Sequence, residues 1–462
     1  MKSTMLQEGT PLLVTLISVA YLMLGNAPAQ ALDLLESYRL ALEQDASYQA
    51  SRAETAASRE LVPQARAQLL PSLSSSLSRG KNQTNSETPG FLGARTFSSY
   101  EYLSSNYGLA LRQPLYRKYN FAQYYQARSQ VRSAEAVLDK SLQDMVVRLC
   151  GAYLEALMAQ DQLNLVQSAK EAYAGQLRAA KHSFEAGQGT RTDIDDAQAR
   201  YDMALAQELD ATQGVEHTRR QLQVIVNQPV SSLAVLNPDR MQLLSPLPAN
   251  PDEWIARGEE VNAELRAMRA NIETATLEVE KARSGHMPTV DLLVQRSTSA
   301  SENQVAINQH YLTSQVGLQV NIPIFAGGYV SSQIRQALAT LERSRQQYEA
   351  RRREVALNIR KEYQNVDAGV MKVKAQEQAD RSSHQALFST QKGYQAGTRT
   401  QIDILNAQQQ RMNVRRDLAN ARYQYLMARI RLQGLVGSLN EEEINTINSW
   451  LSEPATQGLP PS

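Results

Sequence analysis

The sequence predicts an α+β membrane protein built by internal duplication, with four β-strands per chain pooled between copies into a closed barrel and continued by very long helices. Three observations carry this reading. Matching residue runs recur in the same order at an offset of about 210 positions. The stretches 115–228 and 324–453 contain no proline. The segments bracketed by Pro71, Pro114, Pro288 and Pro323 alternate apolar with polar residues.

The duplication rests on three sets of matches. Ala65-Arg66 through Pro71 pairs with Ala282-Arg283 through Pro288, and Gly108-Leu109 through Pro114-Leu115 pairs with Gly317-Leu318 through Pro323-Ile324. Ala186-Gly187 and Ala197-Gln198 pair with Ala396-Gly397 and Ala407-Gln408. The expected organisation is a signal peptide (1–31), a first repeat of helix, two strands and helical hairpin (32–226), a proline-rich connector (227–251), a second repeat of the same plan (252–451) and a C-terminal tail (452–462). The signal combines Lys2, an apolar run from Pro11 to Gly25 too short for a comfortable span, and Ala29-Gln30-Ala31 as an A-x-A site. Cleavage after Ala31 is expected, with an uncleaved anchor helix as the alternative. No cysteine directly follows that site, which argues against a lipid anchor.

Proline disrupts helix interiors, so the proline-free stretches are open to long helices. Their apolar residues recur at three and four: Val131, Ala134, Leu138, Leu142, Met145, Leu149, Ala152 and Ala156 in the first half, Val355, Ile359, Tyr363, Val366, Val370 and Val373 in the second. A second stripe of Val146, Cys150, Tyr153 and Leu157 gives the first helix two helical neighbours, as in a bundle or closed ring. A helix from about Tyr119 to Glu185 would span on the order of 100 Å. Gly187–Gly189 and Gly397 are placed to reverse the chain into a second long helix each time.

The clearest strand sets Val316, Leu318, Val320, Ile322 and Ile324 on one face and Gln315, Gly317, Gln319 and Asn321 on the other. Val290, Leu292 and Val294 alternate with Asp291, Leu293 and Gln295, and Tyr107, Leu109 and Leu111 with Gly108, Ala110 and Arg112. Ser72 to Ser78 is the weakest, with only Leu73 and Leu77 apolar. Polar loops are expected at Gly80 to Ser98 and Ser297 to Gln309. Four strands cannot close a membrane barrel, whose smallest members have about eight. Two chains would close too narrow a barrel for a conduit, whereas three would give a usable lumen. Tyr116, Tyr119, Phe121, Tyr124 and Tyr125 fall where strand gives way to helix. They suit an aromatic girdle at the membrane boundary and equally suit helix-start packing.

Composition narrows the chemistry. The chain has 462 residues and a net charge of +1, from 48 basic and 47 acidic side chains. That balance gives no reason to expect a nucleic-acid partner. Its aromatics are chiefly Tyr (20, against 6 Phe and 2 Trp), a residue at home where apolar and wet surroundings meet. Cys150, the one cysteine, reads as a buried small hydrophobe. The histidines 182, 217, 286, 310 and 384 lack metal-ligand spacing. The G-x-G at Gly187 follows a helix and lacks a third glycine, and no phosphate-binding loop occurs. No enzyme activity, metal or cofactor is expected, and passive conduction is what remains.

The chain resembles the TolC family of outer-membrane export channels over nearly its whole mature length. GHMPTVDL from Gly285 is similar to the family's entry into its third strand, and GLQVNIPIFAGGYVSSQIRQA from Gly317 to its fourth strand and following helix. AGTRTQIDILNAQ from Ala396, ARYQYL from Ala421 and LVGSLN from Leu435 also resemble it. The resemblance implies a homotrimer with one twelve-stranded barrel in outer-membrane lipid and a periplasmic α-helical tunnel. It implies as partners a periplasmic adaptor and an inner-membrane transporter, ABC-type or proton-driven. It implies that the helix pairs at the tunnel tip close the entrance and unwind to open it.

On that resemblance, Thr192, Asp193, Tyr394 and Arg399 match residues whose hydrogen bonds and ion pairs hold the entrance shut. Asp403 matches a member of a constricting carboxylate ring, and the second ring position falls at the neutral Asn406. Three copies turn one Asp into a ring of three, which favours cations at a pore mouth. Asp193 or Asp196 would have to compensate for Asn406. The residues themselves allow a plainer reading, because Thr190-x-x-Asp193 and Thr400-x-x-Asp403 look like helix capping boxes. Type I protein secretion is the leading function, multidrug efflux the alternative, and a pore-free periplasmic coiled-coil scaffold the reading from another class.

Overall fold

The computed structural model describes residues 31–301 and 309–452. The expected signal peptide, apart from Ala31, the middle of the expected 297–309 loop and the expected tail beyond Ser452 lie outside these residues. The chain is mostly helical and carries one four-stranded antiparallel sheet. In order, it runs α1 (Leu34–Gln44), α2 (Ala46–Arg59), α3 (Leu61–Ala67), β1 (Ser72–Pro89), β2 (Arg95–Tyr116), α4 (Lys118–Glu185) and α5 (Arg191–Val226). Then follow β3 (Val235–Leu236), α6 (Pro251–Val261), α7 (Ala263–Arg283), β4 (Thr289–Ser301), β5 (Gln309–Asn321), α8 (Tyr329–Gln395), α9 (Gln401–Leu435), α10 (Glu441–Asn448) and β6 (Leu451–Ser452).

Two compact units divide the chain, and each draws on both halves of the sequence. One comprises residues up to 50, 140–262 and 354 onward; the other comprises 51–139 and 263–353. The second unit holds the sheet, in the order β1-β2-β4-β5. Its register places Leu73 opposite Leu111, Leu111 opposite Val294, Val294 opposite Val316, and Leu292 opposite Leu318. Directly opposed residues share a face, so the apolar positions read from the alternation that fall within the strands lie on one side; a slip of one residue would have turned them to the other. That side is uncovered within the chain: Leu73, Leu77, Val316 and Leu318 are all exposed. The other side carries Gln295 opposite Gln315, and Asp291, whose carboxylate takes Arg112 Nη2 at 2.7 Å and Arg117 Nε at 2.8 Å. β1 and β5 are the two edges, with no partner for their outer hydrogen-bonding groups among the described residues.

Two strand expectations need correction. The first polar loop is not Gly80 to Ser98: β1 and β2 pair continuously out to Pro89 and Arg95, leaving a short turn around Phe91–Gly93. Likewise β4 runs to Ser301 and β5 starts at Gln309. These extensions are rich in Ser, Thr and Asn on both faces, so no apolar face marks them, and cross-strand bonds such as Asn82 Nδ2 to Ser104 Oγ (2.8 Å) take its place. At the other end β5 stops at Asn321. Ile322 and Ile324 flank Pro323, which cannot donate to a ladder.

In the same unit, Ala275 and Val279 of α7 pack on Ala337 and Leu341 of α8. The first unit has the larger core. The second stripe of α4 is fully buried there, with Val146, Cys150, Tyr153 and Leu157 all at 2% exposure or less. Of the first stripe only Met145, Leu149 and Ala156 are buried, and Leu142 and Ala152 remain half-buried. In the second half Val355, Ile359, Val366, Val370 and Val373 are buried as the spacing predicts. Burial pushes the Cys150 thiol up to about 12, an inert hydrophobe at neutral pH.

Two buried tyrosines tie down the connector. The Tyr153 hydroxyl lies 3.0 Å from both Leu32 O and Ala234 O. The Tyr425 hydroxyl accepts from Leu244 N at 3.0 Å and lies 3.0 Å from Leu244 O. The connector is thereby stitched to α4 and α9, and its β3 pairs with β6.

Candidate functional site

The two helical hairpins of the first unit end in the same local structure, each with a left-handed glycine followed by a Thr-x-x-Asp cap. α4 closes at Gly187 (φ +72°) and α8 at Gly397 (φ +76°), left-handed positions that favour glycine. Gln188 N then donates to Ser183 O at 2.8 Å, and Thr398 N to Gly393 O at 2.8 Å. We expect Gly397→Val to cost about 1–2 kcal/mol through this positive φ alone, measured as a lowered unfolding midpoint of the purified protein.

Each turn leads into a reciprocal capping box. Asp193 Oδ2 accepts from Thr190 N (3.0 Å) and Thr190 Oγ (2.7 Å), while Asp193 N donates to Thr190 Oγ at 3.2 Å. Thr400 and Asp403 repeat the arrangement at 2.9, 3.0 and 3.2 Å. The backbone N–H and hydroxyl of Thr400, helped by the charge of Arg399, hold the Asp403 carboxyl below its ordinary range. Both aspartates therefore cap their helices, as the T-x-x-D spacing predicts. Thr192 and Tyr394 are exposed, Asp196 is half-buried, and Arg399 lies over Gly393, where a Cβ would meet its Cγ at 2.7 Å. Among the described residues no hydrogen bond joins Thr192 or Asp193 to Tyr394 or Arg399.

A different set of side chains joins the hairpins. Arg200 of α5 donates through Nη2 to Asn406 Oδ1 at 2.9 Å and through Nη1 to Gln409 Oε1 at 3.4 Å. Tyr173 of α4, 2% exposed, donates to the same Gln409 oxygen at 3.0 Å. Gln401, buried at the start of α9, donates to Gln176 of α4 at 2.7 Å. Beneath them Ala169, Tyr173, Ala204 and Leu405 form an apolar patch. Of the residues expected at this site only Asn406 takes part. Arg200 escaped the sequence reading, although its place seven positions after Asp193 sets it on the same helix face.

The described residues hold no grouping of His, Cys, Asp and Glu able to bind a metal, and none of their helices is long and apolar enough to cross a membrane. The outer membrane efflux protein family model matches residues 37–228 and 254–438, most of the chain and both halves of it. The chain belongs to the outer membrane efflux protein family. Among its relatives, the alkaline protease secretion protein AprF of Pseudomonas aeruginosa is 34% identical over 94% of this chain and 90% of its own length. The outer membrane protein TolC of Vibrio cholerae is 30% identical over 95% and 98%. The solved CmeC outer membrane channel of Campylobacter jejuni superposes with a TM-score of 0.76 over 90% of this chain and 89% of that one, at 15% identity, a likeness of fold. The TolC-type resemblance is thus upheld, and the chain is an outer-membrane member of the efflux protein family. The two matched segments leave out residues 229–253, which include nearly all of the connector laced down by Tyr153 and Tyr425.

Proposed function

We propose that this efflux family member is the outer-membrane channel of a tripartite export system, passively passing substrate received from a periplasmic adaptor and an inner-membrane transporter, ABC-type or proton-driven. The observation that carries it is the sheet: four strands with two open edges and, on one uncovered face, an apolar band of Leu73, Leu111, Leu292, Val294, Val316 and Leu318, which Arg296 and Ser314 interrupt on its far side. Lipid covers such a face and sister copies close such edges. Three copies make a twelve-stranded barrel wide enough to conduct, and the members of the first stripe of α4 left half-buried, Leu142 and Ala152, supply helical contacts between copies in a periplasmic α-barrel. Exposed Tyr116, Tyr119, Phe121 and Tyr125 then girdle the periplasmic rim. The chain would reach that place through removal of residues 1–31, leaving repeats 32–226 and 252–451 about the connector.

Protein secretion of type I is the leading reading, because AprF, a relative covering nearly the full length, is by name a protease secretion protein. The family's own description as efflux proteins favours a drug-efflux duct as the second. Deleting the gene and scoring both secreted protein and drug susceptibility decides between them. Loss of secretion with unchanged susceptibility is the expected result.

The entrance is assigned to the hairpin tips, with Thr192, Asp193, Asp196, Tyr394, Arg399, Asp403 and Asn406 as its residues and Asp403 supplying a threefold ring of charge. Planar-bilayer recording tests this. Asp403→Ala should bring the cation preference toward unity, and Tyr394→Phe with Arg399→Ser should raise conductance. If neither quantity moves, the tips are capped helix ends and nothing more. A water-soluble native protein that carries no current would point to a scaffold.

The pH dependence has a definite sign. A carboxyl held below its ordinary value favours its charged form in the folded protein. Asp403 thus stays ionised as pH falls from neutral and is protonated only below the usual carboxylate range. Cation preference should hold flat from neutral pH down through the ordinary carboxylate range and fall only below it.

A further inference from the structure

We propose that Arg200 is the latch that holds the two hairpins together at the entrance, and that its neutral acceptors make the latch releasable. The proposal rests on the channel reading above and adds to it a residue and a mechanism of closure. The geometry is specific. One guanidinium on α5 spans to two amide oxygens on α9, Asn406 Oδ1 at 2.9 Å and Gln409 Oε1 at 3.4 Å. Gln409 is in turn held from α4 by the buried hydroxyl of Tyr173 at 3.0 Å. Three helices, two from the first hairpin and one from the second, meet in this network, while α8 contributes nothing to it.

Among the described residues no carboxylate pairs with Arg200, although the carboxylates of Asp193 and Asp196 precede it on its own helix. The Asp193 carboxylate is engaged by Thr190. A cation whose acceptors are amides is held by single hydrogen bonds without a countercharge, weaker than an ion pair and partly open to water. Such a contact suits a device that must break when the hairpins move apart. Asn406 stands where a carboxylate would convert it into an ion pair. The neutral residue at that position is therefore the one that sets how firmly the entrance is shut, and Arg200 adds a ring of three positive charges near the Asp403 ring.

The test is single-channel recording of the purified full-length protein in planar bilayers, with assembly checked on the same preparations. Loss of both guanidinium bonds, the shorter exposed and the longer part-buried, should raise the open fraction about tenfold in Arg200→Ser, with Arg200→Lys between it and the native channel. Asn406→Asp should do the reverse, lowering current below native by pairing with Arg200. The double variant Arg200→Ser with Asn406→Asp should be as open as Arg200→Ser, since an acid without its cation cannot latch. Asn406→Asp is the informative variant even where Arg200→Ser assembles poorly, because it retains every contact and strengthens one. Native current in both single variants, or an Asn406→Asp channel that opens rather than closes, overturns the latch and leaves the channel standing. A native protein that conducts nothing removes both.

Discussion

Val316→Arg is expected to keep the protein out of the outer membrane. Val316 lies opposite Val294 in the apolar run Val316, Leu318 and Val320, and it is 73% exposed within the chain. An arginine on the lipid face of a barrel costs about 2–4 kcal/mol near the bilayer midplane, and in the proposed trimer that cost falls at three places at once. The neighbouring Gln315→Arg is the control, because its side chain points to the opposite, polar face. The fraction of each variant recovered from outer membranes is the measurement. Equal recovery of the two would mean that the apolar face does not meet lipid.

Tyr425→Ala should be the most damaging single change in the helical unit. The ring is 1% exposed and packs against Gly369, where a Cβ would lie 3.2 Å from it, and its hydroxyl both holds Leu244 N and reaches Leu244 O. Truncating a buried aromatic costs about 3–5 kcal/mol from the cavity and lost contacts. Tyr425→Phe keeps the ring but strands the Leu244 amide, at about 1–3 kcal/mol. The two differ in kind as well as size. The Phe variant should remain folded yet become sensitive to limited proteolysis within residues 238–251, because only the stitching of the connector is cut. Denaturant midpoints and the position of the first cleavage separate these outcomes. A Tyr425→Phe protein as protease-resistant as the native one would show that packing alone holds the connector.

What could be read from the sequence was whatever repeats at short range. Helix stripes, positive-φ glycines and the two T-x-x-D caps each depend on residues within one or two turns, and the structure reproduces them. The central parts of the strands were legible because a face that is apolar on one side writes itself as a period of two. Their outer parts, such as Asn82 to Thr88, are polar on both sides, so the same pairing leaves no trace in the pattern. Arg200 was hidden for a different reason. Its partners are 206 and 209 positions away, and apart from its place two turns beyond Asp193 nothing local distinguishes it from any other arginine on a solvated helix.

The strand order has a consequence for inheritance. The two free edges, β1 and β5, are different strands, so under the proposed ring each copy can only offer its β5 to the next copy's β1. Assembly is directional, and one subunit with a spoiled edge leaves a gap that no sound neighbour can fill. A cell expressing native and edge-defective alleles in equal amount would keep only about one intact ring in eight, so such alleles should behave as dominant over the native gene rather than recessive to it.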